Sequence, residues 1–162
     1  MKKIIFAISI GLSSCVFSQS SIQPSFGVNI WSPGGLDNGV GTFLEIGADY
    51  EHGVSDQLGL NAGVSYNFSK SSLDGGFIKL NAGGRYNLNE LNDGFFIGGD
   101  LGFGFTNGIN IITAGANLGY SIPLGNGSLN PNISLGYMSM GSEGYRFGGL
   151  YFPINVSYSI CF

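Results

Sequence analysis

In the stretch LYFPINVSYSICF, from Leu150 to Phe162, apolar side chains alternate with small or polar ones. Counting back from the end, every second residue is apolar: Phe162, Ile160, Tyr158, Val156, Ile154 and Phe152. The residues between them are small or polar. A period of two places the two sets on opposite faces of a β-strand. The stretch therefore predicts a strand with one apolar face that runs to a terminal aromatic residue.

Seven earlier segments of the chain show the same alternation. Their apolar positions run from Pro24 to Ile30, Val40 to Tyr50, Leu58 to Phe68, Ile78 to Leu88, Phe95 to Phe105, Ile112 to Ile122 and Leu129 to Tyr137. Connections rich in Gly, Asn, Ser and Asp separate them, and Asn107-Gly108 is typical of a tight hairpin. Segments of about ten residues suit strands that cross a bilayer at a steep tilt. We therefore predict an all-β fold, an eight-stranded antiparallel up-and-down transmembrane β-barrel.

The aromatic residues of the apolar face fall at two heights when the chain ends are placed at the bottom. The lower set is Tyr50, Tyr86, Phe95, Tyr120, Tyr158 and Phe162, and the upper set is Tyr66, Phe68, Phe103, Phe105, Tyr137 and Phe152. Aliphatic residues lie between the two sets. Aromatic rings prefer membrane interfaces, where one end is apolar and the other wet. The pattern predicts that the apolar face is turned towards lipid.

The opposite face is then the barrel interior, and it carries Gly, Ser, Asn, Thr and five charged residues. The charged residues are Glu45, Asp49, Lys79, Arg85 and Asp100. An eight-stranded barrel is only wide enough for side chains to fill it, so buried charges there must find partners. We predict an ion-pair network centred on Arg85, with Glu45 and Asp100 as partners and Asp49 within reach below. Such a network is expected to plug the barrel, and a proton or ion path is the alternative.

Composition and charge exclude several classes of protein. Charged residues make up 10% of the chain, against about 25% in soluble domains, and 29 of the 162 residues are glycine. Residues 19–162 hold four cations and ten carboxylates, a formal charge of −6. That charge argues against nucleic acid as a partner, because binding to it depends on neutralising phosphates. Cys161 is the one cysteine of this part, so an intrachain disulfide is not expected there.

The first eighteen residues resemble a secretory signal peptide. Lys2 and Lys3 precede a short apolar run from Ile4 to Leu12, which is too short to span a bilayer. Cleavage after Ser18 divides the chain into a signal peptide, 1–18, and a barrel domain, 19–162. The stretch Leu12-Ser13-Ser14-Cys15 also resembles a lipoprotein box, so lipidation of Cys15 is the alternative. Both routes imply export.

Three phrases resemble those of small OmpA/OmpX-type outer-membrane β-barrels. They are the terminal NVSYSICF, the phrase EHGVSDQLGLNAGVSYNF and the phrase LNPNISLGYMSM. The resemblance implies a porin-like barrel of a Gram-negative cell envelope, embedded in outer-membrane lipid with both termini periplasmic. It also implies that the barrel-assembly machinery recognises the C-terminal strand. These phrases are specific for the class and weak for any individual function.

Enzymatic and metal chemistry find little support in the sequence. An enzyme would need a nucleophile and a base, and the one histidine, His52, lies in the predicted turn EHGVSD on the lower side. Neither PGGLDNG nor SLDGG supplies the repeated oxygen ligands of a calcium loop. We therefore expect no catalysis, no metal and no cofactor.

The upper connections are short and rich in glycine. The richest is the predicted loop from Met140 to Gly149, whose candidate surface contacts are Glu143, Tyr145, Arg146 and Phe147. The expected role is structural or interactive in the outer membrane, with no surface partner identified. A narrow porin-like channel for ions or small solutes and a soluble lipocalin-like carrier are the alternatives.

Overall fold

The computed structural model describes residues 19–34, 40–69, 76–142 and 144–162. The predicted signal peptide and the alternative lipidation site at Cys15 lie outside these ranges, as does Glu143. No helix within the described residues is long and apolar enough to cross a membrane.

The described residues form eight β-strands. They are β1 (Ser20–Pro33), β2 (Gly41–Gly53), β3 (Leu58–Ser69), β4 (Phe77–Asn87), β5 (Gly94–Thr106), β6 (Ile109–Leu124), β7 (Gly127–Ser142) and β8 (Tyr145–Cys161). Each strand pairs antiparallel with the next, and β1 pairs with β8, so the sheet closes into an up-and-down barrel. The predicted all-β fold of eight antiparallel strands is confirmed.

The predicted faces follow the pleat of the strands. On β1, Phe26 is exposed on the outer surface and its neighbour Gly27 is buried. On β5, Phe95, Ile97 and Leu101 are likewise exposed. Because the side-chain period is two and the closed sheet has an inside and an outside, each strand's register decides which set of side chains enters the barrel.

The predicted hairpin at Asn107-Gly108 joins β5 to β6. Asn107 has a φ of 40° and Gly108 a φ of 80°. Positive φ at both central positions is what a two-residue type I′ turn requires, and Asn and Gly are the residues that tolerate it.

Two connections are shorter than the sequence indicated. The segment Met140 to Gly149 was predicted as a loop, but Gly141 pairs with Arg146 and Ser142 with Tyr145, so β7 and β8 continue upward as a hairpin. Gly144, with a φ of 95°, allows the tight turn between them. At the lower side β2 continues to Gly53, whereas the segment EHGVSD was predicted as a turn.

The upper interior is apolar, in contrast to the polar interior predicted along its whole height. We call this cluster the apolar seal; it consists of Trp31, Phe43, Phe77, Ile111, Met138, Met140 and Tyr151. The Phe43 and Phe77 rings meet edge to face, with their centroids 5.6 Å apart. Aromatic and aliphatic side chains packed in this way exclude water from the upper mouth.

Candidate functional site

The barrel interior below the apolar seal carries a first ion pair. Lys79 Nζ lies 2.9 Å from Glu45 Oε2, and both side chains are buried. Asn29 Nδ2 donates to the same carboxylate oxygen at 2.6 Å and to Asn67 Oδ1 at 2.7 Å. The Lys79 ammonium also lies 6.0 Å from the centroid of the Tyr151 ring. These contacts compensate both buried charges at this level.

A second ion pair lies near the lower mouth. Arg85 Nε is 2.7 Å from Glu51 Oε1, and Arg85 Nη2 donates to Glu51 Oε2 at 2.7 Å. Gln23 Nε2 donates to Glu51 Oε2 at 2.5 Å. The guanidinium carbon of Arg85 lies 5.1 Å from the centroid of the Phe96 ring, within the range of a cation–π contact. The Nε–Oε1 contact is a close approach of opposite charges without hydrogen-bond geometry, and the Nη2–Oε2 contact is the charge-assisted hydrogen bond of the pair.

The structure therefore divides the predicted single network into two ion pairs. Arg85 was predicted to pair with Glu45 and Asp100, but its partner is Glu51, which had been assigned to a turn. Glu45 and Glu51 are six residues apart on β2, which is about 20 Å along a strand. Arg85 and Lys79 are separated equally on β4. Each cation therefore meets the carboxylate at its own height.

A lower cap closes the barrel beneath the second pair. We use this name for Leu91 and Asn92, two buried residues of the connection between β4 and β5. Asn92 Oδ1 accepts hydrogen bonds from Arg85 Nη2 at 2.5 Å and from Ser128 Oγ at 3.2 Å. Leu91 N donates to Asp56 O at 2.5 Å, which ties the cap to the neighbouring turn. The sequence did not indicate either residue, because a polar, Asn-rich connection such as NELNDG is typical of a turn exposed to solvent.

A polar cavity of about 110 Å³ lies between the two ion pairs. Asp49 and Asp100 line it. Asp49 accepts a hydrogen bond from Asn81, and Asp100 is hydrogen-bonded by Asn117. At about 30 Å³ per molecule, the cavity has room for roughly three or four waters.

The residues of the two aromatic sets lie at outward positions of the strands, apart from Phe162, which is exposed directly after the end of β8. In the lower set, Phe95 and Tyr120 face each other in the register of β5 and β6, and their ring centroids are 4.7 Å apart. In the upper set, Tyr66 and Phe68 are neighbours on one face of β3 with centroids 4.6 Å apart. Phe95 and Phe103 are eight residues apart on β5 and Phe95 and Phe105 ten. With a strand tilt of about 40°, these spacings correspond to a vertical distance of roughly 21–26 Å.

Three of the four candidate surface contacts lie on the extended hairpin. Tyr145 and Phe147 are 76% and 63% exposed, and Arg146 between them is exposed as well. Arg146 and Tyr145 border a shallow cleft with Asn110 at the top of β6. Glu143, the fourth candidate, lies outside the described residues.

The described residues include His52, Cys161 and several carboxylates, which are side-chain types that metal and acid–base sites use. No group of three or more His, Cys, Asp or Glu side chains in these ranges is arranged to hold a metal ion. His52 lies at the lower end of β2, where its Nδ1 is 3.3 Å from Ser20 Oγ.

Comparison with known proteins gives a likeness to solved structures alone. No protein-family model matches the chain, and no curated protein matches it. The solution NMR structure of the de novo designed protein TMB2.3 is similar, at 15% sequence identity and a TM-score of 0.43. The match covers 88% of this chain and 95% of that chain. A likeness at this level carries no conclusion about the function of this chain.

Proposed function

We propose that this chain is an integral outer-membrane β-barrel of the small OmpA/OmpX type, with a plugged interior and both termini periplasmic. Its role in this proposal is structural or interactive, and no enzymatic step is assigned to it. A cleaved signal peptide over residues 1–18 belongs to the same proposal, because export must precede insertion.

The distribution of polarity over the two faces of the sheet carries this proposal. The outward face holds exposed aliphatic residues such as Leu80, Leu101 and Leu135, while Glu45, Lys79 and other charged groups point inward. A water-soluble barrel would need the reverse arrangement, since burial of apolar surface drives its folding. A lipid environment suits the arrangement that is observed, with apolar side chains outside and charged ones inside. The closed sheet also leaves no backbone edge unpaired in the hydrocarbon.

The height of the aromatic residues supports a membrane setting independently. The vertical distance between the two aromatic sets agrees with the apolar band of outer-membrane barrels, which is about 25 Å tall. Tyr158, in the lower set, directs its hydroxyl to the backbone oxygen of Leu124 at 2.9 Å, at the end of β6. A ring that is apolar along its body and hydrogen-bonded at its tip suits the boundary between lipid and water.

Folding in detergent tests the membrane setting. Residues 19–162, unfolded in urea, are diluted into buffer with or without detergent micelles and run unboiled on a gel. We expect a compact, heat-modifiable species that forms only with detergent. A soluble folded monomer in plain buffer would refute the proposal and favour the carrier alternative.

The proposed surface role rests on the extended β7–β8 hairpin. Its exposed Tyr145, Arg146 and Phe147 stand above the upper aromatic set, where a partner at the cell surface would meet them. Replacing all three by Ser should leave the heat-modifiable species unchanged and lower adhesion of cells that display the barrel. Equal adhesion by both strains would remove the hairpin from the proposal.

Assembly through the C-terminal strand is part of the same proposal. Phe162 is exposed, and its backbone N donates to Ser20 O at 3.0 Å, so its ring contributes little to barrel closure. We expect Phe162→Ala to refold normally in detergent but to reach the outer membrane of cells in a smaller amount. Phe105→Ala, an outward Phe of the upper set, is the matched control. Equal insertion of the two variants would contradict this role of Phe162.

A further inference from the structure

The charges inside the barrel do not balance. The interior of the described strands holds four carboxylates, Glu45, Asp49, Glu51 and Asp100, and two cations, Lys79 and Arg85. The two ion pairs account for Glu45 and Glu51. Asp49 and Asp100 have no ion-pair partner within 4 Å in the described part of the chain. A formal excess of two negative charges in an enclosed site is costly unless something neutralises it.

The two remaining carboxylates share one cavity. Asp49 is on β2 and Asp100 on β5, and both line the space of about 110 Å³ between the ion pairs. Glycines lie beside both carboxylates in the sheet: Gly63 lies opposite Asp49 on β3, where Gln23 is the neighbour on β1, and Gly83 and Gly115 flank Asp100. A Cβ on Gly63 would collide with the Asp49 carboxylate, so the missing side chain leaves that carboxylate its space.

Other oxygen atoms at this site also lack partners. Asn81 and Asn117 bond the two carboxylates through their amide groups, while the buried Oδ1 of each accepts no hydrogen bond. The Tyr151 hydroxyl is also without a hydrogen bond of good geometry, although the Lys79 ammonium lies nearby, and this side chain is only 3% exposed. It lines the same cavity. Unpaired buried oxygens of this kind call for a donor or a cation.

We propose that this cavity binds one hydrated Mg²⁺ ion between Asp49 and Asp100. All the available ligands are oxygens, which hard cations prefer, and two carboxylates neutralise a divalent charge. Mg²⁺ is usually held by one or two carboxylates and keeps several of its waters. That habit fits a cavity with room for a few waters, in which the third lining carboxylate, Glu45, is already paired with Lys79. Asn81 and Asn117 line the same cavity and hold the two carboxylates in place by hydrogen bonds.

Retention of the ion tests the proposal directly. The protein is refolded with MgCl₂, passed through Mg²⁺-free buffer containing EDTA, and its metal content is measured by atomic emission. The folded wild type is expected to keep about one Mg²⁺ per chain, because the apolar seal and lower cap slow its escape. The double variant Asp49→Asn/Asp100→Asn should keep none. Glu90→Gln, a carboxylate on the exposed lower turn, is the control and should keep as much as the wild type.

A second measurement keeps the proposal testable if the double variant does not fold. The thermal midpoint of the heat-modifiable wild type is compared in MgCl₂, in EDTA, and in NaCl of equal ionic strength. A bound ion that is absent from the unfolded state should raise the midpoint by roughly 5–10 °C in MgCl₂ alone. Equal thermal midpoints in all three solutions would show that protons neutralise the carboxylates. An equal rise of the midpoint in MgCl₂ and in NaCl would indicate that salt screens the charges without a bound ion. Either result, or Mg²⁺ retained equally by the double variant, overturns the proposal.

Discussion

Arg85 Nε lies 2.7 Å from Glu51 Oε1, and this pair joins the wall of the barrel to its lower cap. Arg85 reaches Glu51 with one edge of its guanidinium and Asn92 with Nη2. The contacts hold β2, β4 and the connection after β4 together. Removal of either charged partner leaves the other buried without compensation, which is the costly case.

The first prediction concerns this pair. Arg85→Met and Glu51→Met should each lower the free energy of unfolding by about 3–5 kcal/mol, because each leaves one buried charge without its partner. The double variant Arg85→Met/Glu51→Met should lose less than the sum, since no unpaired charge remains. Urea unfolding in detergent, followed by fluorescence of the single tryptophan Trp31, measures all three.

The control for this cycle is Arg146→Met, which removes an exposed cation from the upper hairpin. Its effect should stay within about 0.5 kcal/mol. An Arg85 variant that unfolds at the same urea concentration as the Arg146 variant would show that the buried pair contributes nothing.

The second prediction compares two inward glycines. A Cβ at Gly59 would collide with the Glu51 carboxylate and lie 3.1 Å from Leu91 Cδ1, whereas a Cβ at Gly115 would have no neighbour nearer than 3.4 Å. Gly59→Ala should therefore cost about 1–3 kcal/mol through overpacking. Gly115→Ala should be neutral or slightly stabilising, because alanine restricts the unfolded chain. Equal urea midpoints for the two variants would mean that Glu51 and Leu91 can move aside for a Cβ at position 59 without a loss of stability.

The third prediction separates lipid from water at the outer face. Leu101 and Leu88 are 66% and 59% exposed, but Leu101 is at mid-height on β5 and Leu88 lies just beyond the end of β4. Arg at the bilayer midplane costs about 2–4 kcal/mol, and near the interface about 0–1 kcal/mol. Leu101→Arg should thus destabilise the barrel in lipid vesicles far more than Leu88→Arg. In a soluble protein both substitutions would be nearly neutral, so equal unfolding curves would argue against a lipid-facing band.

The sequence alone predicted the parts of the fold that depend on local pattern. The alternation of side chains placed the eight strands and their two faces, since a period of two is read within a single segment. Asn107-Gly108 identified its hairpin because the turn chemistry is contained in two residues. Strand ends were less well predicted: pairing continues while a neighbouring strand offers partners, as it does at Glu51 and Tyr145.

Features that depend on register between strands were predicted poorly. Arg85 was assigned the wrong partners because the heights of β2 and β4 are fixed only when both are paired to β3. The apolar seal was missed because Trp31, Phe43, Phe77 and Ile111 each stand alone on the polar face of a different strand. Their common position near the upper strand ends is a signal that an explicit alignment of the strands could have used.

The fourth prediction concerns the two closures of the interior. The wild type should show no stable conductance in planar bilayers, because the apolar seal closes the upper mouth and Leu91 and Asn92 the lower one. The double variant Phe43→Ala/Ile111→Ala should open the apolar seal, and Leu91→Ala/Asn92→Gly should open the lower cap. Glycine is chosen at position 92 because it tolerates the φ of 68° found there. Each double variant alone should show no conductance, because the other closure of the barrel is still intact.

All four substitutions together should yield an ion current, because the polar cavity lined by Asp49 and Asp100 then communicates with both sides. The negative lining should favour cations over anions in that current. Phe105→Ala/Ile112→Ala removes an outward aromatic residue from β5 and an outward aliphatic residue from β6 and is the matched control. Steady conductance by the wild type would favour the channel alternative over a plug. Silence of a heat-modifiable fourfold variant would place a further barrier between the two mouths.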